Sequence, residues 1–355
     1  MRLLPALATT ACALATLAAG VLTHAGRGAP RPPATLAVAP GGSDAADCSP
    51  ARPCATFRRA YLRARPGDVV RVAGGAYPPQ QIPAVRGRGG PRVVFRPAPG
   101  ARVRLGRGNA TLNSLDVFAS HVEVRSMALA DGFYVHPGAD DVTLRSLDVR
   151  FFAIVSASNV RVVGGDVGPV HDYSSSITPR SESDPMPRDI LLDGVRFHDY
   201  TRSPGAHVEC LQAWSIDGFV LRNSRFERCA VFGLFVANLF HGVTRDALIE
   251  NNVFDEVIQG PNGGGQSVRI AARDTVFRYN SVLGTVFVDP EYSRGVSMVA
   301  NVGALTGNLC QPGVRYDYNV WRAVRCGRTD WRAASGFVRP RVGAPDLHLR
   351  PGSAA

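Results

Sequence analysis

Lysine is absent: all 40 basic side chains of this 355-residue chain are arginines. Against 29 acidic residues they leave a net charge of +11. A complete lack of lysine is first a sign of biased coding, with arginine filling every solubility role. It also denies Asn262-Gly-Gly-Gly265 a phosphate-loop lysine, so that stretch reads as a flexible turn. Basic runs interleaved with aromatics are missing too, which argues against a nucleic-acid-binding module. The positive charge therefore points to another polyanion, such as an acidic polysaccharide.

Long apolar runs are confined to Ala6–Leu22, which follows Arg2 and precedes Thr23-His24-Ala25. That is the pattern of a secretory signal peptide, and the run is short for a membrane span. Cys12 lacks the aliphatic neighbour expected at a lipoprotein site. The expectation is a secreted protein, cleaved after residue 25, with a proline-rich linker over 26–35 and no membrane span afterwards. No Cys-x-x-Cys occurs, and the dispersed Cys48, Cys54, Cys210, Cys229, Cys310 and Cys326 form an even set. Disulfides fit an exported chain better than a metal site does. Many connectivities are open; the sequential one is simplest, closing one short loop and two of about one repeat.

What is present is a globular composition, 45% hydrophobic and 19% charged, with 37 glycines and 26 prolines spread along the chain. Such punctuation suits many short strands. Leu36–Val38 and Val69–Val72 read as strands, with Gly74–Tyr77 a turn. Between them Phe57, Ala60, Tyr61 and Ala64 recur at helical spacing, and Pro66-Gly67 ends that helix. From there one pattern repeats. Val122-Glu-Val124 with Met127 and Leu129 returns as Val142-Thr-Leu144 with Leu147 and Val149. It returns again at Val160–Val162, Ile190–Leu192, Phe219–Leu221, Ala247–Ile249, Val276–Phe277, Val296–Met298 and Val314–Tyr316. The steps are roughly 18–21 residues where connections are short and roughly 28–30 where they are long, the signature of a solenoid. Ser224, Asn252, Asn280, Asn301 and Asn319 align at the turn inside successive units. A buried asparagine there can bond the turn's backbone and the copies above and below.

These features resemble the pectate-lyase-like superfamily. FRRAYLRARPGDVVRVAGGAY (57–77) is similar to its N-terminal cap, and DYNVWRA (317–323) and APDLHLRPGSAA (344–355) to its closing segments. The likeness covers roughly residues 36–354. It implies an all-β fold, a single-stranded right-handed parallel β-helix with an N-terminal capping helix. The cap would span 36–80, the coils 81–320 and the closing segment 321–355. It also implies substrate-groove strands near Tyr134–His136, Ile154–Ser156, Val208–Trp214, Leu234–Ala237, Val268–Ala271 and Val286–Asp289. The superfamily includes lyases, hydrolases, epimerases and adhesins, so fold does not settle function.

Within those strands His207, Glu209 and Gln212 form a polar cluster with no copy in other coils. An imidazole beside a carboxylate suits a general base; the plainer reading is a polar edge beside Cys210 and Cys229. Alternation puts His207 and Glu209 on one face, while Gln212 needs a bulge or the opposite face. Arg269 lies in an otherwise apolar strand and can clamp a uronate carboxylate. Asp289 and Glu291 offer oxygens to Ca2+, although an acidic turn explains them as simply. His136, and His171 and Tyr173 in the 168–188 insertion, are candidate substrate-binding residues. With no lysine, the lysine-base lyases of this fold are excluded in their usual form, and paired glycosidase carboxylates cannot be assigned. The functional expectation is a secreted monomer that binds an acidic polysaccharide and cleaves it by β-elimination, with His207 as base, Glu209 as its orienter or a calcium ligand, and Arg269 on the carboxylate. The alternative is a non-catalytic surface or envelope β-helix that only binds.

Overall fold

The computed structural model describes residues 33–109, 113–240, 242–255, 266–303, 308–341 and 346–353. The expected signal peptide, most of the linker and the Asn262–Gly265 turn lie outside the described residues. From Pro33 onward the chain forms one compact unit.

Almost every strand pairs in parallel. A nine-stranded sheet makes one face, and a 22-stranded sheet supplies the others as two ladders. Asp140–Val149 and Ser158–Val167 run through both of these ladders and join them. The repeated pattern read from the sequence lies in this larger sheet: Val142, Val160, Ile190, Phe219 and Ala247 are all in it and all buried. The chain is therefore a parallel β-helix, as the repeats implied. The ladder already includes Thr35–Val38 and Val69–Val72, the two strands read from the sequence on either side of the helix. Gly75–Tyr77, read as a turn, is a strand paired with Val103–Leu105.

One helix, Phe57–Arg63, closes the first coil. Thr56 caps it by accepting the Arg59 amide, and Phe57, Ala60 and Tyr61 are buried. The Phe57 ring lies 4.9 Å from Phe95 in the core. At the other end Phe337–Arg339 pairs antiparallel with Asp346–Leu349. Phe337 and Leu347 pack with Leu283 on the outside of the coils.

Two internal stacks hold the coils in register. Phe197, Phe226 and Phe254 overlap at 4.7 and 4.8 Å between ring centroids. The asparagine ladder forms as expected. Asn252, Asn280 and Asn301 each accept the amide of the ladder residue one coil before, at 2.9–3.0 Å. Each also donates its side-chain amide to a strand carbonyl of that earlier coil, Leu221, Ile249 or Phe277. Asp330, unforeseen from the sequence, ends the ladder by accepting from Asn319. The residue before each ladder position is left-handed: Asn223, Asn251, Tyr279, Ala300 and Tyr318 have φ between 52° and 57°. That corner is what turns the chain from one ladder into the next. Where Gly194 holds it (φ 70°), no Cβ is strained.

Arginine's structural share is visible on the large sheet. Asp193, Arg222, Glu250 and Arg278 stand in register on four successive coils, an alternating charge row. Arg222 bonds Asp193 at 2.8 Å, and Arg278 bonds Glu250 at 2.6 Å. Cross-strand pairs of this kind favour one register over its neighbours.

Candidate functional site

The nine-stranded sheet carries the candidate residues. All six expected groove strands are present, as Gly132–Val135, Phe151–Val155, Glu209–Trp214, Phe232–Ala237, Gln266–Ile270 and Val286–Val288. Three more were not foreseen: Gln80–Ile82, Leu115–Val117 and Ser175–Thr178. The last lies inside the 168–188 insertion. That stretch is therefore not only a loop; it contributes a full rung between Phe151–Val155 and Glu209–Trp214. Strand pleating puts Asp116, Tyr134, Ala153, Ser176, Gln212, Phe235, Arg269 and Phe287 in one register row. The neighbouring row, from Val135 and Ile154 to Ile270 and Val288, is fully buried. The first row is thus the outer face.

His207, Glu209 and Gln212 do converge. Glu209 has no exposed surface, so its carboxylate needs partners inside the protein. One oxygen faces His207 Nδ1. The other accepts from Gln212 Nε2 and from the Ser174 hydroxyl, the latter at 3.1 Å. Ser174 Oγ in turn accepts the Glu209 amide at 2.9 Å. Gln212 needs no bulge to join: Glu209 opens the strand, where pleat alternation no longer fixes a side chain's direction. The approach is an ion-pair contact and not a hydrogen bond, since that Glu209 oxygen is buried without a hydrogen-bond partner; it leaves Nε2 as the other nitrogen of His207. The ring is 55% exposed and flanked by Phe232 at 5.4 Å.

Arg269 is on the same face but not in that cluster. Gln212, Phe235 and Arg269 occupy consecutive strands, so two strand spacings, roughly 10 Å, separate Arg269 from Gln212. Its guanidinium sits 5.3 Å from both the Phe235 and Phe287 rings and bonds Asp289 at 2.9 Å. Asp289's second oxygen accepts the Glu291 amide. Both oxygens are thus committed. Among the described residues, moreover, no three His, Cys, Asp or Glu side chains gather as a cation would require. Asp289 faces an arginine and a backbone amide within the protein, and Glu291 follows it in the same turn.

A second histidine–carboxylate pair lies at the other end of the row. His136 Nε2 bonds Asp116 Oδ1 at 2.7 Å, and Asp116 is held from behind by the Asn113 amide at 2.9 Å. His136 stacks on Phe118 and leans on Tyr134 at 4.3 Å. Burial pushes the Tyr134 phenol up, Arg180 pulls it down, and Asp116 adds to the rise. Asp116 escaped sequence reasoning because it is 20 residues from His136, in an adjacent coil, with no local motif to mark it.

Between the two pairs is a cleft of ≈ 590 Å³ whose walls include Arg107, Tyr134, Arg150, Phe151, Tyr173 and Ser174. Tyr173, 61% exposed, stacks on Phe151 at 5.3 Å. His171 is outside this lining; it bonds Thr201 at 2.9 Å and pairs with Asp172 at 3.3 Å. The three disulfides are the sequential ones, Cys48–Cys54, Cys210–Cys229 and Cys310–Cys326. Cys210–Cys229 ties the strand that follows Glu209 to the next coil.

No protein-family model matches this chain, and no curated protein does. Among solved structures, PfbA, a surface adhesin of Streptococcus pneumoniae, superposes over 71% of this chain and 76% of its own, with TM-score 0.51 and 12% identity. An alginate lyase from Paenibacillus (79% and 99%, TM-score 0.45, 15% identity) and the pectate lyase Pel9A (90% and 90%, 0.44, 15%) are also similar. At such identities the likeness is one of fold alone, the parallel β-helix. Among the described residues, no helix is long and apolar enough to cross a membrane.

Proposed function

We propose that this protein is an exported monomer that binds an acidic, uronate-bearing polysaccharide along the outer row of the nine-stranded sheet and cleaves it by β-elimination. The observation that carries the reading is the buried Glu209 carboxylate, which holds His207 by Nδ1 and is itself fixed by Ser174 and Gln212. A buried carboxylate fixed through one oxygen and set against an exposed imidazole through the other is an arrangement that suits a general base. His207 Nε2 would take the proton on the carbon next to the uronate carboxyl. The electron pair left there forms the new double bond as the glycosidic carbon–oxygen bond breaks, and the departing oxygen collects a proton from water. Arginine would offset the charge that builds on the uronate carboxylate.

One observation favours a second reading, a rigid binding face without catalysis. Arg269 already has Asp289 as its carboxylate, so a substrate uronate would have to compete for it. The deciding assay incubates pectic, alginate and glycosaminoglycan polymers with the protein, with and without calcium, and follows ultraviolet absorbance of unsaturated uronates. The wild type should generate that signal on at least one polymer, and His207→Gln should lose about 10²–10⁴ in rate while still binding. Binding without absorbance on every polymer would establish the second reading instead.

A further inference from the structure

Three strand spacings on the N-terminal side of His207, the cleft presents features the β-elimination site does not use. Tyr173 and Phe151 form a parallel aromatic pair with the Tyr173 face turned out. The Tyr134 hydroxyl has no hydrogen-bond partner among the described residues, and burial keeps the phenol protonated, hence a donor. Its ring is held in place by His136, which Asp116 fixes in turn. Arg107 and Arg150 reach the same lining, sharing the single carboxylate of Asp131 at long range, 3.5 and 3.8 Å. Two cations on one anion leave the cleft with a net positive charge.

We infer that this cleft is a separate saccharide-binding subsite, in which a uronosyl ring lies on the Tyr173–Phe151 platform with its carboxylate toward Arg107 and Arg150 and a hydroxyl on Tyr134. This rests on the reading that the sheet face takes an acidic saccharide. The platform supplies an apolar surface that matches the C–H face of a pyranose ring. The aromatic pair alone would accept any sugar; the arginines select an acidic one. Asp131 sharpens that choice, because the arginines it draws in are held in place yet not neutralised. Ser174 lines the cleft and also bonds Glu209, so a chain seated here leads directly to His207. Three strand spacings are roughly 14 Å, and only an oligomer long enough to bridge them would engage both places. His136 and Asp116 act as positioning residues for Tyr134.

The test is calorimetric titration of the full chain with oligogalacturonates, oligoalginates and neutral xylo-oligosaccharides of matched length. At least one acidic series should bind more tightly than the neutral one, with affinity rising with length. Tyr173→Ala should weaken binding about tenfold, the worth of one aromatic contact, and Arg150→Gln should weaken the acidic series only. Tyr318→Ala, exposed at a distant corner, should bind as wild type. His136→Gln should weaken binding through Tyr134, and Tyr134→Phe combined with it should add nothing further. Equal affinity for acidic and neutral oligomers overturns the inference, as does wild-type binding by both Tyr173→Ala and Arg150→Gln. A wild type that binds but forms no unsaturated product ends the lyase reading and leaves this one standing. A wild type that cleaves while the cleft variants bind and cleave normally does the reverse.

Discussion

Replacing Asn280 with alanine removes the middle rung of the asparagine ladder, and the structure allows the loss to be counted. Asn280 is fully buried. Its Oδ1 accepts the Asn252 amide and the Asn252 side chain, both at 3.0 Å, and its Nδ2 donates to the Ile249 carbonyl at 3.0 Å. The substitution therefore strands the buried Asn252 N–H and takes one hydrogen bond each from the Asn252 side chain and the Ile249 C=O. It also takes one of several donors from Asn301 Oδ1. Leaving a buried backbone group unpaired costs about 1–3 kcal/mol and each further hydrogen bond lost about 0.5–1.5 kcal/mol, so the expected loss is roughly 2–5 kcal/mol. That is a large part of the 5–15 kcal/mol that typically separates folded from unfolded chains, so roughly a third of the total is at stake. The natural control is Asn251→Asp, next door in sequence, which keeps a residue type that tolerates that left-handed corner. Asn251 is exposed and makes one side-chain bond, to Asn223 at 2.7 Å, so its loss should stay within about 0.5 kcal/mol. Urea unfolding followed by circular dichroism reads both. If the two variants lower the midpoint equally, the ladder is not what holds the coils in register.

Two further outcomes follow from the same coils. Ala300 is left-handed, φ 52°, at the corner where two earlier coils place Asn223 and Asn251, and its Cβ is strained there. Ala300→Gly should raise the unfolding free energy by about 1 kcal/mol, read as a higher urea midpoint; a lower midpoint would contradict the assigned corner. Asp199 offers a pH test. Arg228 holds its carboxyl far below the usual carboxylate range, burial opposes that, and His198 helps to lower it. A depressed folded-state pKa gives stability that is present above the unfolded value, about 4, and is lost as pH falls towards the folded value. Denaturant midpoints should therefore drop on acidification below about pH 4, and Asp199→Asn should flatten that limb. Parallel acid limbs for variant and wild type would rule the pair out as a contributor.

What the sequence shows of this fold is whatever recurs. Val142, Phe219 and Asn252 are legible because each has copies at coil spacing, and a copy reports a shared environment even without a structure. The groove side of the coil obeys no such rule. Ser175–Thr178 is a rung of the nine-stranded sheet, but serine stands where its neighbours carry Phe152 and Leu211, and Ser175 bonds the buried Tyr200 hydroxyl at 2.7 Å instead. A polar pair inside the core hides the strand from any reading by hydrophobic alternation.

The candidate site divides along the same line. His207, Glu209 and Gln212 were visible because they sit within six residues of one another, where a cluster can be seen in one dimension. Ser174, which completes the Glu209 cage from 35 residues away, was not; nor was Asp116 beside His136. Asp289 shows the converse hazard. Read alone, its carboxylate offers oxygens to a cation; on the sheet it faces Arg269 one coil earlier and is satisfied by it. In a solenoid the nearest partner of a polar side chain is usually one coil away, and coil length varies here from 18 to 28 residues along the ladder alone. A fixed sequence offset therefore cannot find it. The axial row can: once the register is known, Asp116, Tyr134, Ser176, Gln212 and Arg269 become neighbours in a line. That line, running from one histidine–carboxylate pair past the cleft to the other, is a surface suited to an extended polymer rather than to a compact ligand.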